Sequence, residues 1–212
     1  MNDLETYPRP FVCLVRHGQT EAALAGRLNG LGEVPLTAFG EMQAASLKTL
    51  LSTVSWDKVL CSPLGRVRRT AELAGFPHPE IVPDLHEFDC GNYEGRTEKE
   101  IRAMQPGWDF WRDGCAGGET PATAGNRVDP LVRQLRGQSG AVLVFSHAGT
   151  SRILTARYFD LPGHMGSAFG FDPAHIGVLG IRGGYPAVMI WNDGNHLPDP
   201  HKGPKLQSSL PQ

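Results

Sequence analysis

Cysteine is scarce in this chain, four in 212 residues. Cys13, Cys61, Cys90 and Cys115 form no C-x-x-C pair, which removes the common structural-zinc and dithiol patterns and leaves reduced, structural thiols as the expectation. Charge of one sign is not in excess either. A formal net charge of -2 gives no electrostatic footprint for nucleic acid or an anionic membrane. No apolar run approaches the length of a membrane span, and Met1 to Pro8 carries acidic residues where a leader would need an apolar centre, so a cytoplasmic location is expected. The spacings H-x-x-x-H and H-x-H are also missing, and no single element offers a metal two imidazoles. These absences leave a small molecule as the expected partner, with no cofactor and no metal; a homodimer is compatible with them.

What is present is an alternation of strand and helix periods, the mark of crossover-connected parallel strands. The length and the 40% apolar content suit one α/β domain over residues 1–212, with a core at about 11–191 and a proline-rich polar tail at 192–212 that offers no core-facing stripe. Strands are expected at Phe11–Val15, Lys58–Cys61, Ala141–Phe145, Gly177–Ile181 and Val188–Trp191. Helices are expected after Thr37, with Leu47, Leu50, Leu51 and Val54 at helical spacing, then over Leu64–Leu73, and after Thr97, where Glu100 completes a capping box. Val128, Leu131, Val132 and Leu135 mark another helix, in which Pro130 either kinks the helix or begins it behind Asp129. A last helix is expected near Ser151–Phe159, and Asp84–Gly95 reads as loop.

Two stretches stand out from this pattern. Val12 to Gly18 and Val142 to Gly149 each run from a buried-looking strand into a histidine, a small-residue turn and a helix. Ligands of open α/β sheets bind outside the carboxyl ends of the strands, so His17 and His147 are expected to share one site. Two histidines with nearby carboxylates could also ligate zinc, but an arginine directly before His17 repels a cation and welcomes phosphate. Arg66 lies in the first turn after Ser62-Pro63, where its side chain can reach the same crevice, whereas Arg68 and Arg69 could form a solvated face.

Six motifs in order carry a resemblance: Arg16-His17-Gly18-Gln19-Thr20-Glu21; Val34-Pro35-Leu36-Thr37; Ser62-Pro63-Leu64-Gly65-Arg66-Val67-Arg68-Arg69-Thr70-Ala71; Glu87 before Gly91-Asn92-Tyr93-Glu94-Gly95; Gly118-Glu119-Thr120; and Ser146-His147-Ala148-Gly149. Over roughly residues 11–182 the chain resembles the histidine phosphatase superfamily, also called phosphoglycerate mutase-like. The resemblance implies a three-layer α/β/α sandwich around a mostly parallel sheet. It implies a metal-independent, acid-type phosphatase acting on phosphomonoesters through a phosphohistidine.

In that reading His17 is the nucleophile. Glu87 is the proton donor, holding its proton near neutral pH by burial or through the substrate's dianion, with Asp89 beside it. Arg16, Arg66 and His147 clamp the phosphate, His147 most effectively as imidazolium. Asn29, Gly30, Arg68, Glu119 and Ala148 match substrate-binding positions, although Asn29-Gly30 reads equally as a turn and Glu119 equally as a helix cap. The mutases of the superfamily carry Trp and Asn where this chain has Ala22 and Ala23. The region around Glu87 and Trp108 to Cys115 instead looks like the phosphatase branch, near the sedoheptulose-1,7-bisphosphatase type of sugar phosphatase. Mutase-type transfer and a non-catalytic phosphate-binding module are the alternatives. A second anion is expected to dock on Arg68, Arg69, Arg102 or Arg112, which would favour a sugar bisphosphate.

Overall fold

The structure, a computed structural model, describes residues 4–197. In chain order the elements are β1 (Phe11–Arg16), α1 (Glu21–Leu24), α2 (Ala38–Leu51), β2 (Lys58–Cys61), α3 (Gly65–Leu73), β3 (Glu80–Ile81), α4 (Glu98–Met104), α5 (Phe110–Asp113), α6 (Pro121–Gly137), β4 (Ala141–Ser146), α7 (Ala148–Tyr158), β5 (Ile176–Arg182) and β6 (Tyr185–Asp193). The strands form one sheet in the order β3-β2-β4-β1-β5-β6. Pairing is parallel from β3 to β1, while β5 runs antiparallel to both β1 and β6. Five of the six strands therefore point the same way, in a mixed and mostly parallel sheet.

Strand alternation sorts the core into two layers. Val12 and Leu14 of β1 and Val142 and Val144 of β4 face α6 and α7, where they meet Val128, Leu131, Leu135, Ile153 and Leu154. Phe11, Cys13, Val15, Leu143 and Phe145 face the other way, onto Leu47, Leu50 and Leu51 of α2 and Val67 and Ala71 of α3. Both strands are apolar throughout because both faces are covered by helices. The chain leaves β1 for the α2 side and β4 for the α7 side, so the gap between these neighbours is a switch point where the sheet's helices part.

The local chemistry explains the boundaries. Thr37 caps α2 by accepting from Gly40 N–H, and Thr97 with Glu100 forms the reciprocal box that starts α4. Helix α6 begins at Pro121 behind a Thr120–Thr123 box and continues through Pro130, so the second alternative at Asp129 is set aside. Asp129 is paired with Arg157 of α7 at 2.7 Å, which ties the two helices at the level of the proline. Three short elements carry no sequence signal long enough to read: the two-residue edge strand β3, and the four-residue helices α1 and α5. The expected loop at 84–95 contains two single turns of 3-10 helix.

The segment from Asn192 also departs from expectation up to residue 197. Asn192 and Asp193 belong to β6, Asn192 Nδ2 donates to Asp172, and Leu197 packs on the α2 face of the core. The remainder of the expected tail lies outside the described residues. No helix among the described residues is long and apolar enough to cross a membrane.

Candidate active site

At the switch point the carboxyl ends of β1 and β4 lie in register, with Arg16 opposite Ser146, and His17 N–H donates to the Ser146 carbonyl at 3.0 Å. The two imidazoles that follow meet edge to face, ring centroids 5.2 Å apart. Gly18 then turns the chain against the start of α2. A Cβ at Gly18 would lie 2.3 Å from the Gly40 carbonyl oxygen, so the close approach that fixes the His17 backbone requires glycine there.

Each histidine is held by a different nitrogen. His17 Nδ1 lies 2.7 Å from the Gly18 carbonyl oxygen. A carbonyl only accepts, so Nδ1 carries the proton and Nε2 keeps its lone pair. In His147 it is Nε2 that is engaged, 2.8 Å from Ser62 Oγ at the end of β2, while Nδ1 is buried without a hydrogen-bond partner. Both rings are pushed well below the ordinary histidine range, first by burial and next by the Arg66 guanidinium, with Arg16 adding to the effect. Burial and the two guanidiniums thus disfavour the imidazolium form of His147, the form in which the sequence reading has it hold phosphate most effectively.

Two guanidiniums surround the histidines. Arg16 donates to the Phe171 carbonyl, and Arg66, 2% exposed, donates to the carbonyls of Gly30 and Gly32 at 2.7 and 2.8 Å. Burial lowers the pKa of both, opposed by the nearby Glu87 carboxylate. The Nε groups of both arginines are buried without partners. Together with His147 Nδ1, they make three unsatisfied buried nitrogens in side chains that feel one another electrostatically. A buried donor left unpaired is costly, and an anion is the partner that the two guanidinium Nε–H groups would take, joined by His147 Nδ1 in the tautomer that carries its hydrogen there.

Glu87 reaches the same pocket from the loop after β3 and sits at the amino end of α7. Its Oε1 accepts from the N–H groups of Phe88 and Thr150 at 2.8 and 2.9 Å, and its Oε2 from Gly149 N–H at 3.1 Å. A Cβ at Gly149 would come within 2.8 Å of Oε1, so the small residue admits the carboxyl. The loop behind Glu87 is braced by an ion pair. Arg127 of α6 meets Glu119 at 2.7 Å, Glu119 Oε2 accepts from Asp89 N–H, and Arg127 also donates to the carbonyls of Asp84 and His86.

Of the ten residues singled out from sequence, Arg16, His17, Asn29, Glu87 and Ala148 line one pocket. Arg66 and His147 are buried beside His17. Gly30 does not line the pocket, because its N–H is taken by the Glu94 carboxylate and its carbonyl by Arg66. Glu119 neither caps α6, a role that falls to Thr120, nor lines the pocket; it holds the Glu87 loop. Arg68 is exposed and faces a separate surface depression with Arg69, Pro77 and His78. Helix geometry separates it from Arg66: two residues apart on α3 they project about 200° from each other, while Thr70, four residues on, shares the Arg66 side. Arg69, Arg102 and Arg112 are exposed and paired with acidic residues. None of the four arginines expected to dock a second anion lines this pocket.

Sequence reasoning missed four contributors. Ser62 stood in the sequence as a strand end and the start of a motif, with no role in holding His147. Thr70 receives Gly18 N–H at 3.1 Å and follows from helical spacing after Arg66. Thr150 holds Glu87. Arg152, buried over the Trp111 ring at 4.3 Å, donates to the carbonyls of Gly166 and Ser167 and has its pKa lowered to about 10, chiefly by burial. Its carbonyl partners carry no sequence signal.

The sequence model of the histidine phosphatase superfamily (branch 1) matches residues 12–194. The chain belongs to this superfamily. An acid phosphatase of Mycobacterium tuberculosis is 38% identical over 181 residues, 84% of this chain and 89% of that one. Sedoheptulose 1,7-bisphosphatase of Saccharomyces cerevisiae is 29% identical over 187 residues, 72% of this chain and 68% of that one. A solved Mycobacterium tuberculosis structure superposes with a TM-score of 0.82 at 37% identity, covering 87% of this chain and 97% of that one. An acid phosphatase and a sugar bisphosphatase are thus among the relatives of this chain.

Proposed function

We propose that this chain hydrolyses small phosphate monoesters through a phosphohistidine on His17, without a metal ion. The observation that carries the reading is the trio of unpaired buried nitrogens, Arg16 Nε, Arg66 Nε and His147 Nδ1, around a histidine whose Nε2 lone pair is free. Nε2 attacks phosphorus, the bond from phosphorus to the ester oxygen breaks, and its electron pair leaves with the alcohol, which takes a proton from Glu87. Glu87, now a carboxylate, removes a proton from water as that water attacks the phosphohistidine, which releases inorganic phosphate and restores both residues.

The charge on the equatorial oxygens falls to the arginines and His147. If Leu64 N–H donates to Ser62 Oγ (3.3 Å) and the Ser62 hydroxyl donates to His147 Nε2, the neutral ring keeps a hydrogen on Nδ1 for a phosphate oxygen. Guanidiniums beside His17 repel a cation, and among the described residues no cluster of three or more His, Cys, Asp or Glu side chains is arranged to hold a metal. Phosphate release from phenyl phosphate by the purified protein, before and after exhaustive chelation, tests the proposal. Equal turnover is expected; activity that disappears on chelation and returns with zinc or magnesium would overturn the metal-free mechanism. Sugar phosphates belong in the same assay because of the sedoheptulose bisphosphatase relative.

A further inference from the structure

Beyond the groups that would hold the reacting phosphate, the pocket wall is made of Ala23, Leu28, Phe88, Cys90 and Phe110, with Thr20, Arg27 and Asn29 as its polar members. Each of these polar groups already holds at least one hydrogen bond. Thr20 Oγ1 accepts from Ala23 N–H as the cap of α1. The Asn29 amide, oriented as its neighbours require, donates to Glu94 Oε1 at 3.0 Å and accepts from Arg66 Nη1 at 3.2 Å. Arg27, 45% exposed at the rim, donates to the Gly95 carbonyl at 2.8 Å and pairs with Glu100 at 3.4 Å. A polyol would therefore lose its water hydrogen bonds against five apolar side chains. A second phosphate would reach one cation, which is already shared with a carboxylate.

Resting on the hydrolase reading above, we infer that the substrate's alcohol is apolar, aromatic or alkyl, and carries no second anionic group. Burial of each methylene against such a wall improves binding by a factor of about four. Even partial burial of a six-carbon chain then gives at least about tenfold in kcat/KM over a hexitol ester of the same length.

Three esters isolate the terms: hexyl phosphate, sorbitol 6-phosphate and 1,6-hexanediol bisphosphate, with phenyl phosphate as the reference for hydrolase activity. The expected order is hexyl phosphate first, with sorbitol 6-phosphate at least about tenfold lower and the bisphosphate no better than hexyl phosphate. Ala23→Ser, which adds a hydroxyl to the wall without removing volume, should narrow the hexyl-to-sorbitol ratio while the melting temperature is kept. Phenyl phosphate turnover with equal hexyl and sorbitol rates would overturn the apolar assignment alone. A bisphosphate advantage that is lost in Arg27→Gln would overturn it too and make Arg27 a second anion site. No turnover of phenyl phosphate by folded protein would instead overturn the hydrolase reading.

Discussion

His17 and His147 end neighbouring strands, in register, each before a small-residue turn, yet they are pinned by opposite nitrogens. The His17 ring is fixed by the carbonyl of its own next residue, which dictates one tautomer and exposes the Nε2 lone pair. The His147 ring is fixed from outside, by a serine hydroxyl on β2 that can donate or accept, and its Nδ1 is the unpaired atom. Matching local sequence therefore does not mean matching chemistry. In the proposed mechanism the first histidine serves as nucleophile and the second as hydrogen-bond donor.

The largest expected effect divides the pair. His17→Ala should lower kcat on phenyl phosphate by at least about 10⁴, since it removes the proposed nucleophile itself, whereas His147→Ala removes one proposed oxyanion donor and should cost about 10²–10³. Circular dichroism would show both variants folded. Equal losses would erase the distinction between the two rings.

Glu87→Gln comes next. Turnover of alkyl phosphates should fall by about 10²–10⁴, and that of 4-nitrophenyl phosphate far less, because its leaving group departs without a proton. Equal slowing of both would reduce Glu87 to a support for α7.

A pH profile sharpens the comparison further. Both histidines have lowered pKa values, from burial first and then from Arg66. A lowered histidine is neutral above its own pKa, so the acid limb of kcat/KM should lie well below the ordinary 6.5 of a histidine in water. Arg66→Met removes one of the lowering charges and should move that limb upward, as read from the residual activity or from imidazole proton shifts by NMR. A limb that stays at 6.5 in both forms would contradict the buried, neutral pair.

The smallest effect is expected at Arg68. It is exposed and turned away from the pocket, so Arg68→Ala should change kcat/KM by no more than about twofold; a tenfold loss would return it to the site.

The strand ends were legible in the sequence because two buried strands that finish in histidine have few other places to meet. The layers were legible because unbroken apolar runs in β1 and β4 and helical stripes in α2 and α6 agree. What escaped notice depends on long-range contacts or on very short elements. Ser62 acts on a residue 85 positions away, Arg152 grips backbone carbonyls, and β3, α1 and α5 are too short for a period to show. Arg68 was misplaced because a run of arginines does not say which one faces inward. Only the buried positions Val67, Thr70 and Ala71 settle the phase of α3.

Identification of the phosphorylated residue tests the central claim most directly. With the enzyme quenched during turnover of an aryl phosphate, peptide mapping should locate an alkali-stable, acid-labile phosphate on His17. It should be absent in His17→Ala and still formed, more slowly, in His147→Ala. Phosphate on His147, or turnover in His17→Ala with a phosphorylated residue elsewhere, would contradict the assignment of nucleophile and donor.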